Sequence, residues 1–174
     1  DNVYITSGST ISHDCIIGND VTIIGSVLAG HVKIDDMAVI GGISSIKQHV
    51  HIGKLTMVGA RSLLVKDTLP YSLVQGSPSY LSGVNLVGLR RNNYSNEQIK
   101  FLLAVQRYIF PNKNIDYKKT FPLPYKEKIA DRLKEALVFI DVGMVDHETT
   151  KLAREMLDIL IKNDKVTKPL CKYE

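Results

Sequence analysis

The stretch Ile11-Ser12-His13-Asp14-Cys15 places an imidazole next to a carboxylate. An imidazole can take a proton from an alcohol near neutral pH. A carbonyl or carboxylate bonded to its other nitrogen fixes the tautomer and stabilises the charge that develops. Neighbours on a strand point to opposite faces, so a direct His13–Asp14 bond needs a corner that bends one side chain round to the other. Two further histidines, His31 and His49, stand 18 residues apart. Stacked histidines can bind a metal, but neither has a carboxylate or cysteine beside it, so no metal site is expected.

What must position these groups is a repeat. Aliphatic residues recur every six positions at Ile5, Ile11, Ile17 and Ile23, then, after one dropped residue, at Leu28, Ile34, Ile40, Ile46, Ile52, Val58 and Leu64. Two positions before each stands a second, mostly small residue, from Val3 and Ser9 through Ser26, Ala38 and Ser44 to Ser62. A strand alternates with period two and a helix with period near 3.6, and neither keeps one aliphatic register at six. The pattern predicts a left-handed parallel β-helix, a triangular coil with three short strands per turn. The aliphatic side chain fills the prism, the small residue fits inside near a corner, and Gly18, Gly41, Gly53 and Gly59 relieve crowding where the backbone turns. His31 and His49 then share one position of the hexad, one coil apart. The first hexad is already in phase at Val3, and an uncapped coil there would present an open strand edge, so further coils are expected before Asp1.

The hexads occupy residues 1–65. Residues 66–94, with Pro70, Gly76, Pro78 and Gly83, read as an ordered connecting loop, and residues 95–174 as an α-helical C-terminal part. Ser95 with Gln98 forms a plausible capping box for a helix carrying Ile99, Leu102, Leu103 and Ile109. A second amphipathic stretch has Ile129, Leu133, Leu137 and Ile140, and a third has Leu152, Met156, Leu157 and Leu160.

The totals are those of a globular protein: 174 residues, 44% hydrophobic, 23% charged. No apolar run is long enough to span a bilayer, and no basic region followed by an apolar stretch opens the chain. Two cysteines, Cys15 and Cys171, imply no disulfide framework and suit a reducing compartment, so a cytoplasmic location is expected. The net charge of +4 is modest, the basic residues are scattered, and nucleic acid is not expected as a partner.

Several segments occur in one order: His13-Asp14-Cys15, Leu28-Ala29-Gly30-His31-Val32, Ile40-Gly41-Gly42, Asp67 through Pro70 and Gln75-Gly76. They are followed by Gly83-Val84-Asn85-Leu86-Val87-Gly88-Leu89-Arg90-Arg91 and Tyr94-Ser95. Together they resemble the acyl-carrier-protein-dependent UDP-N-acetylglucosamine O-acyltransferases of lipid A synthesis, over roughly residues 9 to 110. The asparagine–glycine–leucine–arginine stretch leading into a helix discriminates best, because generic hexapeptide transferases lack it. The resemblance implies a homotrimer with active sites in clefts between neighbouring β-helices, acyl carrier protein and a UDP-amino sugar as partners, and no cofactor. It implies that His13 is the general base, that Asp14 supports it, and that the backbone N–H of Gly30 faces the thioester oxyanion. His31, Gln48, Asn85 and Arg91 match residues that hold the nucleotide sugar or the acyl donor. Ala60 stands where a residue on the coil wall closes the acyl groove, which implies a medium-to-long acyl chain.

The chain departs from the family pattern at Thr10 and Lys47, where the family has histidines, at Val87, where it has an acidic residue, and at Asn92, where it has a basic one. Two alternatives follow: a transferase of the same fold with another donor or acceptor, and a catalytically silent trimer that binds a partner. His13, Asp14 and Gly30 together favour a transferase, and Thr10, Lys47 and Val87 favour the silent protein.

Overall fold

A computed structural model describes residues 1–111, 128–141 and 145–162, with side chains described up to residue 158. Within it the six-residue period becomes a left-handed parallel β-helix of two-residue strands. Face 1 stacks β1 (Tyr4–Ile5), β4 (Thr22–Ile23), β7 (Val39–Ile40) and β10 (Met57–Val58). Face 2 stacks β2 (Thr10–Ile11), β5 (Val27–Leu28), β8 (Ser45–Ile46) and β11 (Leu63–Leu64), and face 3 stacks β3 (Ile16–Ile17), β6 (Lys33–Ile34) and β9 (His51–Ile52). Every pairing within these faces is parallel and advances one turn, so each interior aliphatic lies on the next: Ile11 on Leu28, Leu28 on Ile46, Ile46 on Leu64. Ile23, Leu28, Ile34, Ile40, Ile52, Val58 and Leu64 are fully buried. Burial of each such side chain contributes about 1.5–3 kcal/mol.

The coil departs from the usual way of joining parallel strands. Parallel strands are usually joined by right-handed crossovers containing a helix. Here each connection is a short corner with one residue in the left-handed backbone region: Asp14, Asp20, His31, Met37, Ile43, His49, Leu55 and Arg61 all have φ between 54° and 64°. A β-branched residue such as Ile43 resists that conformation on its own, so the stacked coils impose it. Glycines at the turns relieve crowding, as expected. Gly41 and Gly53 do not need positive φ; a Cβ on them would lie 2.6 Å from the Ala60 nitrogen and 2.5 Å from the Pro70 nitrogen. They let consecutive coils approach.

The small interior positions hold a polar ladder. Ser26 Oγ donates to the carbonyls of Ile24 and Gly41, Ser44 Oγ to Gly41 and Gly59, and Ser62 Oγ to Gly59. These three hydroxyls are thereby satisfied, as burial requires, whereas that of Ser9 in the first turns has no hydrogen-bond partner among the described residues.

Residues 66–94 hold regular structure where a loop is expected from the prolines and glycines. Thr68 N donates to His51 O, while Asp67 Oδ1 and Thr68 Oγ1 accept from the backbone of His51 and Gly53, so the coil continues past its last aliphatic hexad. β12 (Ser72–Gly76) then pairs in parallel with β10, and β13 (Ser79–Val84) turns back antiparallel along it. Leu69 and Tyr71 are buried there in place of the hexad residues. A six-residue helix, α1 (Leu86–Arg91), follows.

The chain divides into two compact units between Leu89 and Arg90. The second contains α2 (Asn96–Ile109), α3 (Ile129–Asp141) and α4 (His147–Lys162), packed pairwise. Ser95 and Gln98 make the expected capping box on α2. Its core is Ile99, Leu102, Val105, Ile109, Leu133, Ala136, Ile140, Ala153, Met156 and Leu157. Leu103, Leu137 and Leu152 are half-buried, and the side chain of Leu160 lies outside the described residues, as does Cys171. The Tyr108 hydroxyl donates to Glu135 at 2.7 Å, and the buried Arg132 donates to the carbonyl of Ile109. Among the described residues no helix is long and apolar enough to cross a membrane.

Candidate active site

The corners between faces 2 and 3 carry two adjacent columns of side chains. His13, Gly30 and Gln48 occupy the position two after the interior aliphatic; Asp14, His31 and His49 occupy the next, in the left-handed conformation. That conformation answers the geometric question about the dyad. At φ 58° Asp14 turns its side chain back toward its neighbour, and its Oδ2 lies 2.8 Å from His13 Nδ1. The hydrogen bond from His13, partly opposed by desolvation and aided by the charges of His31 and His13, holds the Asp14 carboxyl below its ordinary range. An ionised carboxylate only accepts, so Nδ1 carries the proton, and in the neutral imidazole Nε2 keeps the lone pair. This is the protonation pattern a general base needs.

The other members of the columns surround this pair. His31 N donates to His13 O, which ties the two corners together at 3.0 Å. The His31 ring meets that of His13 edge-on at 5.0 Å and places Nε2 3.7 Å from Asp14 Oδ2. His49 stacks on His31 with centroids 4.8 Å apart and planes 16° from parallel. His13 and Asp14 are about two-thirds exposed, at 68% and 64%, and face solvent rather than the prism. Beneath the His13 ring lies Gly30, where a Cβ would stand 2.7 Å from both Cε1 and Nε2. The His13, Asp14, Gly30 and His31 positions therefore come together, with Gln48 exposed one coil further along.

The remaining predicted residues lie elsewhere. Ala60 is exposed at a corner between faces 1 and 2, a different edge of the prism from His13. Arg91 is exposed in the last turn of α1 beside Arg90. Asn85 is buried and occupied within the chain: its Nδ2 donates to Leu55 O, and its Oδ1 accepts from Gly88 N, which caps α1. The resemblance implies a ligand-holding role for Asn85; within the chain its side chain serves as the N-cap that a short polar residue before a helix naturally supplies.

A second histidine–carboxylate pair escapes sequence inspection. On face 3, His51 Nε2 lies 2.7 Å from Asp35 Oδ2, and Lys33 Nζ is 3.3 Å from Asp35 Oδ1. Burial pushes the Asp35 carboxyl up, but the His51 hydrogen bond and the charges of His51 and Lys33 outweigh it and hold it below the ordinary range. The two residues are 16 apart, one coil less two, and only the stacked register shows that they meet.

Parallel coils stacked in this way, with a histidine–carboxylate pair on one edge, define a hexapeptide-repeat β-helix protein. The family described as UDP N-acetylglucosamine O-acyltransferase, domain 2, matches residues 67–165, more than half of the chain. A relative from Campylobacter concisus, an acyl-[acyl-carrier-protein]–UDP-N-acetylglucosamine O-acyltransferase, is 40% identical over 119 residues, covering 68% of this chain and 45% of its own length. The Paracoccus denitrificans protein of the same name is 41% identical over 103 residues, 59% of this chain and 40% of that one. Among solved structures, the UDP-N-acetylglucosamine acyltransferase of Campylobacter jejuni superposes with a TM-score of 0.76 at 25% identity, covering 99% of this chain and 59% of that one. The Arabidopsis UDP-N-acetylglucosamine acyltransferase gives 0.70 at 27% identity, over 95% and 53%. The chain belongs to the UDP-N-acetylglucosamine O-acyltransferase family. It spans less than half the length of these two curated relatives.

Proposed function

We propose that this chain carries the acyl-transfer centre of an O-acyltransferase that moves a 3-hydroxyacyl group from acyl carrier protein to the 3-hydroxyl of UDP-N-acetylglucosamine. That reaction is the first step of lipid A biosynthesis, and the proposed setting is the cytoplasm. The observation that carries the reading is the oriented pair: His13 Nδ1 bonded to Asp14 at 2.8 Å, with Nε2 over Gly30. His13 Nε2 removes the proton of the sugar hydroxyl, and the resulting oxygen nucleophile attacks the thioester carbonyl. Gly30 N–H donates to the oxyanion that forms; loss of such a donor costs about 3–4 kcal/mol in well-studied cases. The tetrahedral intermediate collapses with release of the carrier thiol, which recovers the proton from His13. Asp14 holds the tautomer throughout, and no covalent enzyme intermediate is needed.

His31 and Gln48 flank the base and hold the sugar or the donor. Asn85 contributes by capping α1, whose last turn presents Arg90 and Arg91 to an acidic carrier protein. The working unit is a homotrimer. Ala60 and His13 stand on different edges of one prism, and threefold packing is what brings unlike edges of neighbouring prisms to one cleft. Val27, Leu63, Ile24 and Ile43, exposed on face 2 and the corner beside it, supply apolar surface for that packing.

The test is a transfer assay on the full-length protein with UDP-N-acetylglucosamine and a series of acyl carrier protein thioesters. Acylated nucleotide sugar is expected; no product from any thioester sinks the reading. Sedimentation of a monomer at micromolar concentration would remove the shared cleft.

A further inference from the structure

We propose that the His13–Asp14–His31 edge is a binding site for a thiophilic or borderline divalent cation such as Zn²⁺, and that occupation switches the base off. The sequence sets no carboxylate beside His31, whereas the fold does: Asp14 and His31 share one column because the coil between them is 17 residues long. Among the described residues, this is the group of three whose ligand atoms converge, all within 4.8 Å of one another. Two donors on one tetrahedral zinc stand about 3.4 Å apart, given bond lengths near 2.1 Å. His13 Nδ1–Asp14 Oδ2 at 2.8 Å and His31 Nε2–Asp14 Oδ2 at 3.7 Å bracket that separation.

Both backbones are already fixed. Asp14 and His31 are corner residues, and the bond from His31 N to His13 O clamps one corner on the other. Only exposed side chains need to rotate, and stacking on His49 keeps the His31 ring on its edge. Water completes the coordination, as in open zinc sites. The second pair, Asp35–His51, is the internal contrast: it has the Lys33 ammonium at 3.3 Å in place of another histidine, and a cation is repelled there.

The inhibitory half of the proposal rests on the transfer reading above; the binding half does not. A cation on Nδ1 takes the lone pair there, so the single ring proton of neutral His13 moves, by exchange with solvent, to Nε2. Protons compete with the cation for both imidazoles and the carboxylate, so binding weakens as pH falls. The lone pair that would accept the sugar proton is gone.

The probe is Co²⁺, titrated into the full chain and followed by its visible absorption, with Zn²⁺ as competitor. One ion per chain is expected, displaced by Zn²⁺. Asp14→Asn and His31→Asn keep a residue that tolerates the left-handed corner, so the fold is retained, as circular dichroism would verify. Each should weaken binding by at least about tenfold, the lower end of what losing even an outer partner costs, while His51→Gln leaves it unchanged. Equal binding by parent and both variants, or no displaceable Co²⁺ at all, overturns the site. In the transfer assay Zn²⁺ should inhibit and a chelator restore the rate. A normal metal titration with a transfer rate indifferent to Zn²⁺ overturns the switch and leaves the site standing.

Discussion

Gly30 lies directly under the imidazole of His13: a Cβ built on Gly30 would stand 2.7 Å from Cε1 and from Nε2. The glycine is one coil away from His13 and in the same hexad position, so the ring occupies space that any other residue would fill. Gly30→Ala should therefore push the ring off its seat. The ring is exposed and free to move, so stability should change by less than about 1 kcal/mol, whereas transfer should fall on the order of 10²-fold or more, as when a general base is disabled. His13→Ala should lose 10²–10⁴-fold, roughly, by the same measure. Thermal melts and initial rates on the two variants check this; a fully active Gly30→Ala would mean that the ring's position over the glycine is irrelevant to transfer.

A second substitution tests the cap on α1. The position of a Cβ at Gly88 is 2.3 Å from Asn85 Nδ2, and that amide is held by Leu55 O. With no room to yield, Gly88→Ala should break the cap and cost about 1–2 kcal/mol, as should Asn85→Ala. The double variant should cost little more than either single one, since both remove the same interaction. Denaturant unfolding of all three measures it, and simple additivity would show that the two residues act independently.

The Asp35–His51 pair predicts a pH dependence of stability. The folded carboxyl is held below its ordinary value, with burial opposed by His51 and Lys33. Such a group stabilises the fold at pH values above the ordinary carboxylate range and loses that contribution as pH falls through the ordinary and then the lowered value. Parent and Asp35→Asn should thus differ most in melting temperature near pH 6 and converge toward pH 3. A gap that is constant over that range would assign the loss to packing alone.

Acyl-chain length offers a test of the shared cleft. Ala60 is exposed at a corner one edge away from His13. In the proposed trimer it would close the acyl groove; each methylene accommodated there contributes about 0.8 kcal/mol, several-fold in selectivity per two carbons. Ala60→Gly should shift preference to longer donors and Ala60→Met to shorter ones, read from rates across a thioester series. Shifts in the same direction, or none, would take Ala60 out of the groove.

The sequence by itself determined the scaffold. Eleven aliphatic residues at six-residue spacing admit one economical burial, a prism interior, and the capping box at Ser95 and Gln98 appears where a local hydrogen-bond pattern requires it. The His13–Asp14 pair was legible as neighbours, but their bond was not, because it depends on Asp14 adopting a left-handed backbone at the corner. His31 and His49 were legible as one hexad position, one coil apart; only stacking decided that Asp14 joins their column, across the residue dropped before Leu28, and that Asp35 meets His51, across the 18-residue register of β6 on β9. Tertiary burial likewise decided the strands within residues 66–94, where Leu69 and Tyr71 take interior places outside the hexad pattern, and turned Asn85 inward to cap α1. Local periodicity sets which residues go inside; contacts between coils set which surface groups meet, and the chemistry lies with the second.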